Sequence, residues 1–135
     1  MLKFFAISLS IATLLITSAP ADATIIRLRT VNKGRYGGKE VISVNTGSSK
    51  SPTRYFQIIY DYSGGRSYYD NREKRRKLTH IANCGSYKMS NAVKTESFDK
   101  NNRLISLNTS NYVYYSTPQI QSFEEKALQL TCKSR

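Results

Sequence analysis

The chain reads as an α+β domain: an antiparallel β-sheet of about six strands, with one C-terminal α-helix packed on it and tied to it by a disulfide. Three observations predict this. Short runs rich in β-branched and aromatic residues alternate apolar with polar side chains, separated by turn-forming Gly, Asn and Ser. Near the C-terminus the apolar period changes from two residues to about 3.6. Two cysteines, Cys84 and Cys132, close a strand pattern and that helical pattern respectively.

Residues 1–23 have the three parts of a signal peptide: Lys3, an apolar run over 4–16, and the small-x-small site Ala21-Asp22-Ala23. Cleavage after Ala23 is expected, leaving 24–135 as one domain. The apolar run of roughly 13 residues is shorter than the ~20 that span a bilayer. No cysteine adjoins the cleavage site, so no lipid anchor is expected. Export places the two cysteines in an oxidising compartment, where one intramolecular bridge is the simplest outcome. It would close a loop of about 50 residues, worth about 4 kcal/mol in the chain-entropy account.

The elements follow in order. Residues 24–29 form an opening strand, Ile26 and Leu28 alternating with Arg27 and Arg29. Glycines at 34, 37 and 38 break the chain before a second strand at 40–45, and the polar segment 46–53 reads as an exposed loop. Residues 54–62 are the clearest strand, with Phe56, Ile58 and Tyr60 on one face. Ser63-Gly64-Gly65 signals a hairpin returning along 66–69. The pattern resumes at 78–84 and again at 87–98, where Tyr87, Met89 and Val93 oppose Lys88, Ser90, Lys94 and Glu96, a strand wet on one side. A turn at 99–102 leads to a last strand at 103–108. Thr117 can cap a helix opened by Pro118, with Ile120, Phe123, Ala127 and Leu130 as its apolar stripe.

Twenty-one Lys and Arg against nine Asp and Glu give a net charge of +12. The densest cluster is 72–77, in which Arg72, Lys74, Arg75, Arg76 and Lys77 are basic, with Arg66, Tyr68 and Tyr69 just upstream. Such a cluster suits polyanions. Export disfavours nucleic acid, which leaves heparin-like sulfated glycans, acidic protein segments and anionic lipid surfaces. The chain has one histidine and no hydrolase, metalloprotease or phosphate-loop motif, so neither enzymatic activity, cofactor nor metal is expected.

In the segments 24–28, 59–69 and 95–99, in His80-Ile-Ala-Asn-Cys-Gly-Ser-Tyr-Lys-Met89, and in the C-terminal Leu130-Thr-Cys132, the chain resembles the surface-adhesin protein E family of Gram-negative bacteria. The resemblance implies a periplasmic or surface-displayed protein, a second copy of the chain as partner, and binding of host matrix and plasma proteins such as vitronectin, laminin and plasminogen. In that family a basic, aromatic-flanked segment before the first cysteine carries vitronectin binding, and 66–77 occupies that place here. The alternative expectation is a periplasmic structural or envelope-interaction protein without a host ligand.

Overall fold

The computed structural model describes residues 24–32, 38–63 and 72–133. The expected leader and the expected return strand at 66–69 lie outside the described residues.

Eight strands and one helix are described: β1 (Ile25–Val31), β2 (Lys39–Asn45), β3 (Thr53–Ser63), β4 (Arg75–Asn83), β5 (Lys88–Ser90), β6 (Lys94–Phe98), β7 (Leu104–Thr109), β8 (Tyr115–Ser116) and α1 (Phe123–Lys133). They form one open sheet in the order β1-β2-β3-β4-β5-β8, with β6 joined to β4 and β7 to β6. Every pairing is antiparallel. The α+β layout is thus as expected, and so is the helix tied to the sheet.

Alternation decides which face α1 covers. On β3 the even positions Phe56 and Ile58 are buried, and their register partners on β2 and β4 include Val44 and His80. Helix α1 lies over this face, against β1, β3 and β4, and contributes Ala127, Leu128 and Cys132 to the core. Removing each large apolar side chain from water contributes roughly 1.5–3 kcal/mol. Phe123 opens the helix against the ring of Tyr60, edge to face at 6.0 Å, with the Arg29 guanidinium 5.6 Å from its centroid. At the other end Cys132 is bonded to Cys84 just past β4, with Cα atoms 5.3 Å apart. Buried Arg54 holds the same end: its Nη1 donates to the Thr131 carbonyl at 3.0 Å and its Nε to that of Ser51 at 2.6 Å.

The structure redraws three expected elements. First, the helix begins at Phe123, not at Pro118. Gln121 takes φ 65°, outside the helical range, so the helix cannot run back through it. Ser122 caps instead, its Oγ accepting from the Glu125 N–H at 3.1 Å while the Glu125 carboxylate accepts from the Gln121 N–H at 2.8 Å. Ile120 is consequently 80% exposed, not part of the stripe.

Second, the single strand expected over 87–98 is two strands, β5 and β6, interrupted at Asn91. Ala82 pairs with Met89 but Thr79 pairs with Lys94, a register shift that accommodates two extra residues. An even insertion keeps side-chain parity, so Lys94 and Glu96 still face the wet side. Side chains satisfy the gap: the Ile81 N–H donates to Ser90 Oγ at 2.8 Å and Asn91 Nδ2 donates to the Tyr112 carbonyl at 3.3 Å.

Third, β4 starts at Arg75, so half of the basic run is strand rather than a segment preceding one. The Tyr62 N–H donates to the Lys74 carbonyl and the Lys74 N–H to the Phe98 carbonyl, both at 2.8 Å, which extends the ladder one residue further back.

Candidate anion-binding rim and polar cleft

Strand alternation distributes the basic run. Arg75 and Lys77 point to the face without the helix, while Arg76 points to the helix side. Glu73, the one acid in the run, is fully buried there. Its Oε1 accepts from Arg76 Nη2 at 2.7 Å, its Oε2 from Arg76 Nε at 3.2 Å, and Ser97 Oγ donates to Oε2. The Arg76 side chain is 13% exposed and its guanidinium lies 5.9 Å from the centre of the Tyr62 ring. Burial pushes the Tyr62 phenol well above its ordinary range. Arg76 is therefore committed to an internal pair. Arg75 Nε contacts Asp61 at 2.6 Å with both side chains well hydrated, and Lys77 Nζ sits 5.2 Å from the Phe98 ring centre.

Arg72 and Lys74 go elsewhere. They meet Asp99, Lys100 and Asn101 of the β6–β7 turn around a notch of about 290 Å³. Asp99 serves the turn: its Oδ1 accepts from the backbone N–H of Asn101 at 2.8 Å and of Arg103 at 2.9 Å. The bond from Arg103 is the first cause holding its carboxyl below the usual carboxylate range. Three cations surround one carboxylate already engaged by backbone, a rim suited to an anionic group. The structure thus brings Arg72 and Lys74 together, separates Arg75, Lys77 and Arg76 from them, and leaves Arg66, Tyr68 and Tyr69 outside the described residues.

Two further surfaces lie apart from the basic run. One is a cleft of about 520 Å³ on the face without the helix, floored by Asn45, Gln57, Thr79, Lys94 and Thr109, with Tyr55 at its side. These five floor residues are successive register partners on five strands, an arrangement that only the pairing reveals. The other runs from β7 to the helix: Leu104, Leu107, Tyr112, Val113, Tyr114, Tyr115 and Ile120 are each 40% to 80% exposed. Residues 104–121 contain no Asp, Glu, Lys or Arg, a signal that was present in the sequence.

His80 is a core residue. Its ring stacks on Phe56 at 5.4 Å, and Nδ1 lies 2.9 Å from the Ser90 carbonyl. A carbonyl only accepts, so Nδ1 carries a proton. Burial lowers its pKa. Among the described residues no three His, Cys, Asp or Glu side chains gather as a metal site, and no helix is long and apolar enough to cross a membrane.

Fold and surface together define a disulfide-bridged α+β domain with a cationic rim and an uncharged apolar flank. No family model, no curated protein and no solved structure matches the chain.

Proposed function

We propose that this is a non-enzymatic, exported, adhesin-like binding protein that takes acidic segments of host matrix or plasma proteins at the rim of Arg72, Lys74 and Lys100. The observation that carries the reading is that notch: three cations around a single carboxylate that the turn's own backbone holds. The net charge of +12 adds long-range attraction for an acidic partner. The resemblance in the segment around Cys84 supports the same class of partner.

A second copy of the chain is the further partner. Its support is the uncharged stretch 104–121, where two strongly basic molecules can meet without burying like charges. Strand β7, whose only partner among the described strands is β6, offers an edge there.

The test is binding to immobilised vitronectin and heparin over a salt series, for the native protein and an Arg72→Gln/Lys74→Gln/Lys100→Gln variant, with the mass in solution read on the same samples. Saturable binding weakened at least tenfold in the variant is expected, with a shallower salt dependence. Affinity unchanged by the three substitutions at low salt would refute the rim.

A further inference from the structure

The cleft on the face without the helix has a composition that the rim does not share. Its floor is a straight cross-strand row, Asn45 to Gln57 to Thr79 to Lys94 to Thr109. Four interstrand steps make it roughly 19 Å long. It offers two amides, two hydroxyls and one ammonium, and Lys94 is the one charged residue lining it among those described. Its volume of about 520 Å³ falls in the range of small-ligand sites.

The polar groups are oriented with hydrogen-bonding capacity to spare. Asn45 Oδ1 accepts from the Gly47 N–H at 3.1 Å, which fixes the amide and leaves its Nδ2 to donate elsewhere. Gln57 Nε2 donates to Thr79 Oγ1 at 3.3 Å, which leaves Gln57 Oε1 to accept and the Thr79 hydroxyl proton to donate. Tyr55, two residues before Gln57 and on the same face, is 64% exposed in the middle of the sheet. It offers a flat apolar platform with a polar tip.

Backbone recognition is excluded at this place. Four of the five floor residues lie on β2, β3, β4 and β6, each paired on both sides, and only Thr109 at one end lies on β7, so an added peptide strand finds no open ladder along the row. A nucleic-acid strand needs a line of cations along its phosphates. One lysine, with Glu96 3.9 Å from its Nζ, does not supply it.

What fits alternating donors and acceptors, an aromatic platform and a single cation is a chain of sugars. Hydroxyls pair with amides and threonines, the C–H face of a ring lies on tyrosine, and one carboxylate reaches the ammonium. We infer that the row from Asn45 to Thr109, flanked by Tyr55, binds an oligosaccharide containing a carboxylate-bearing sugar. The ligand can come from sialylated host glycans or from muramic-acid glycan of the bacterial wall, which share that chemistry.

The experiment titrates the purified protein with sialyllactose, with a muramic-acid glycan fragment and with neutral maltohexaose. It follows the side-chain amide resonances of Asn45 and Gln57 and the binding isotherm. At least one acidic sugar is expected to shift both amides, and the tighter of the two names the source. Tyr55→Ala, at an exposed position that leaves the core intact, is expected to weaken binding at least tenfold. Lys94→Gln is expected to bring the acidic sugar down to the affinity of the neutral one. Saturating heparin is expected not to displace the sugar, which separates this cleft from the rim whether or not the rim binds. No shift with either acidic sugar at about 10 mM, equal affinity for maltohexaose in the native protein, or undiminished binding by Tyr55→Ala would overturn the inference.

Discussion

Glu73 gives the sharpest test of how the basic run is built. Replacing it with Gln keeps the shape and removes the charge, which leaves the Arg76 guanidinium in a site only 13% exposed. Gln has one acceptor oxygen where Glu73 has two, so the bonds from Arg76, at 2.7 and 3.2 Å, and from Ser97 cannot all be kept, and those that remain no longer meet a carboxylate. Removing one partner of a buried pair costs about 3–5 kcal/mol, chiefly because the other charge stays behind. Partial hydration of Arg76 puts the expectation at the lower end, about 3 kcal/mol. With a urea dependence of about 1.5 kcal/mol per molar, the unfolding midpoint should fall by about 2 M. The chain lacks tryptophan, so far-UV circular dichroism and tyrosine fluorescence are the signals. Glu73→Leu combined with Arg76→Leu should recover most of the loss, because no charge is then stranded. A loss for Glu73→Gln below about 1 kcal/mol would put the pair in the range of hydrated surface pairs. Arg76 would then be accessible, and the reason for leaving it out of the binding rim would fail.

Two further outcomes are expected. Reducing the Cys84–Cys132 bond should cost about 2–4 kcal/mol, read as the difference between urea transitions with and without reductant; coincident transitions would refute the bridge as a staple. Stability should also depend on pH through His80, the single histidine. Burial lowers its pKa in the fold, with weaker opposing pulls from the Ser90 carbonyl and then Glu124. Between that lowered value and the ordinary ~6.5 the unfolded chain binds more protons, so stability is full above pH ~6.5. It falls as the pH drops below that and levels off once the folded ring titrates. Urea midpoints from pH 7.5 to 5 should show this slope, and His80→Gln should abolish it; the same slope in the variant would assign it to other groups.

Where an element announces itself by side-chain alternation, the sequence was legible. Phe56, Ile58 and Tyr60 share a face as their spacing requires, and the parity of Met89 against Lys94 and Glu96 survives the break between β5 and β6 because two residues are inserted there. The break itself was not legible. Nothing in Ser90-Asn91 separates a bulge from a continuing strand until Ser90 Oγ is seen taking the bond of the Ile81 N–H and the Asn91 amide is seen bonding the Tyr112 carbonyl. The helix start was misread for a related reason. Thr117-Pro118 and Ser122-x-x-Glu125 are both good openings, and only the positive φ of Gln121 decides between them.

The candidate site divides along the same line. Charge density located the basic run but not its fate, because alternation in β4 and the burial of Glu73 are tertiary facts. A run of adjacent cations in an extended strand cannot act as one patch: neighbours point to opposite faces, and the inward one needs a counter-ion. Glu73 inside the run supplies it, which turns what reads as an interruption of the charge into the condition for Arg76 to be there at all. Arg72 and Lys74 meet Lys100 instead at the notch beside the β6–β7 turn, drawn together from two separate segments of the chain. The polar row of the cleft is one step further from legibility. Each of its five floor residues comes from a different strand, 12 to 22 residues from the next, so no local pattern joins them. Their common chemistry exists only once the register is set, and a one-residue slip of any one strand would remove its member from the row.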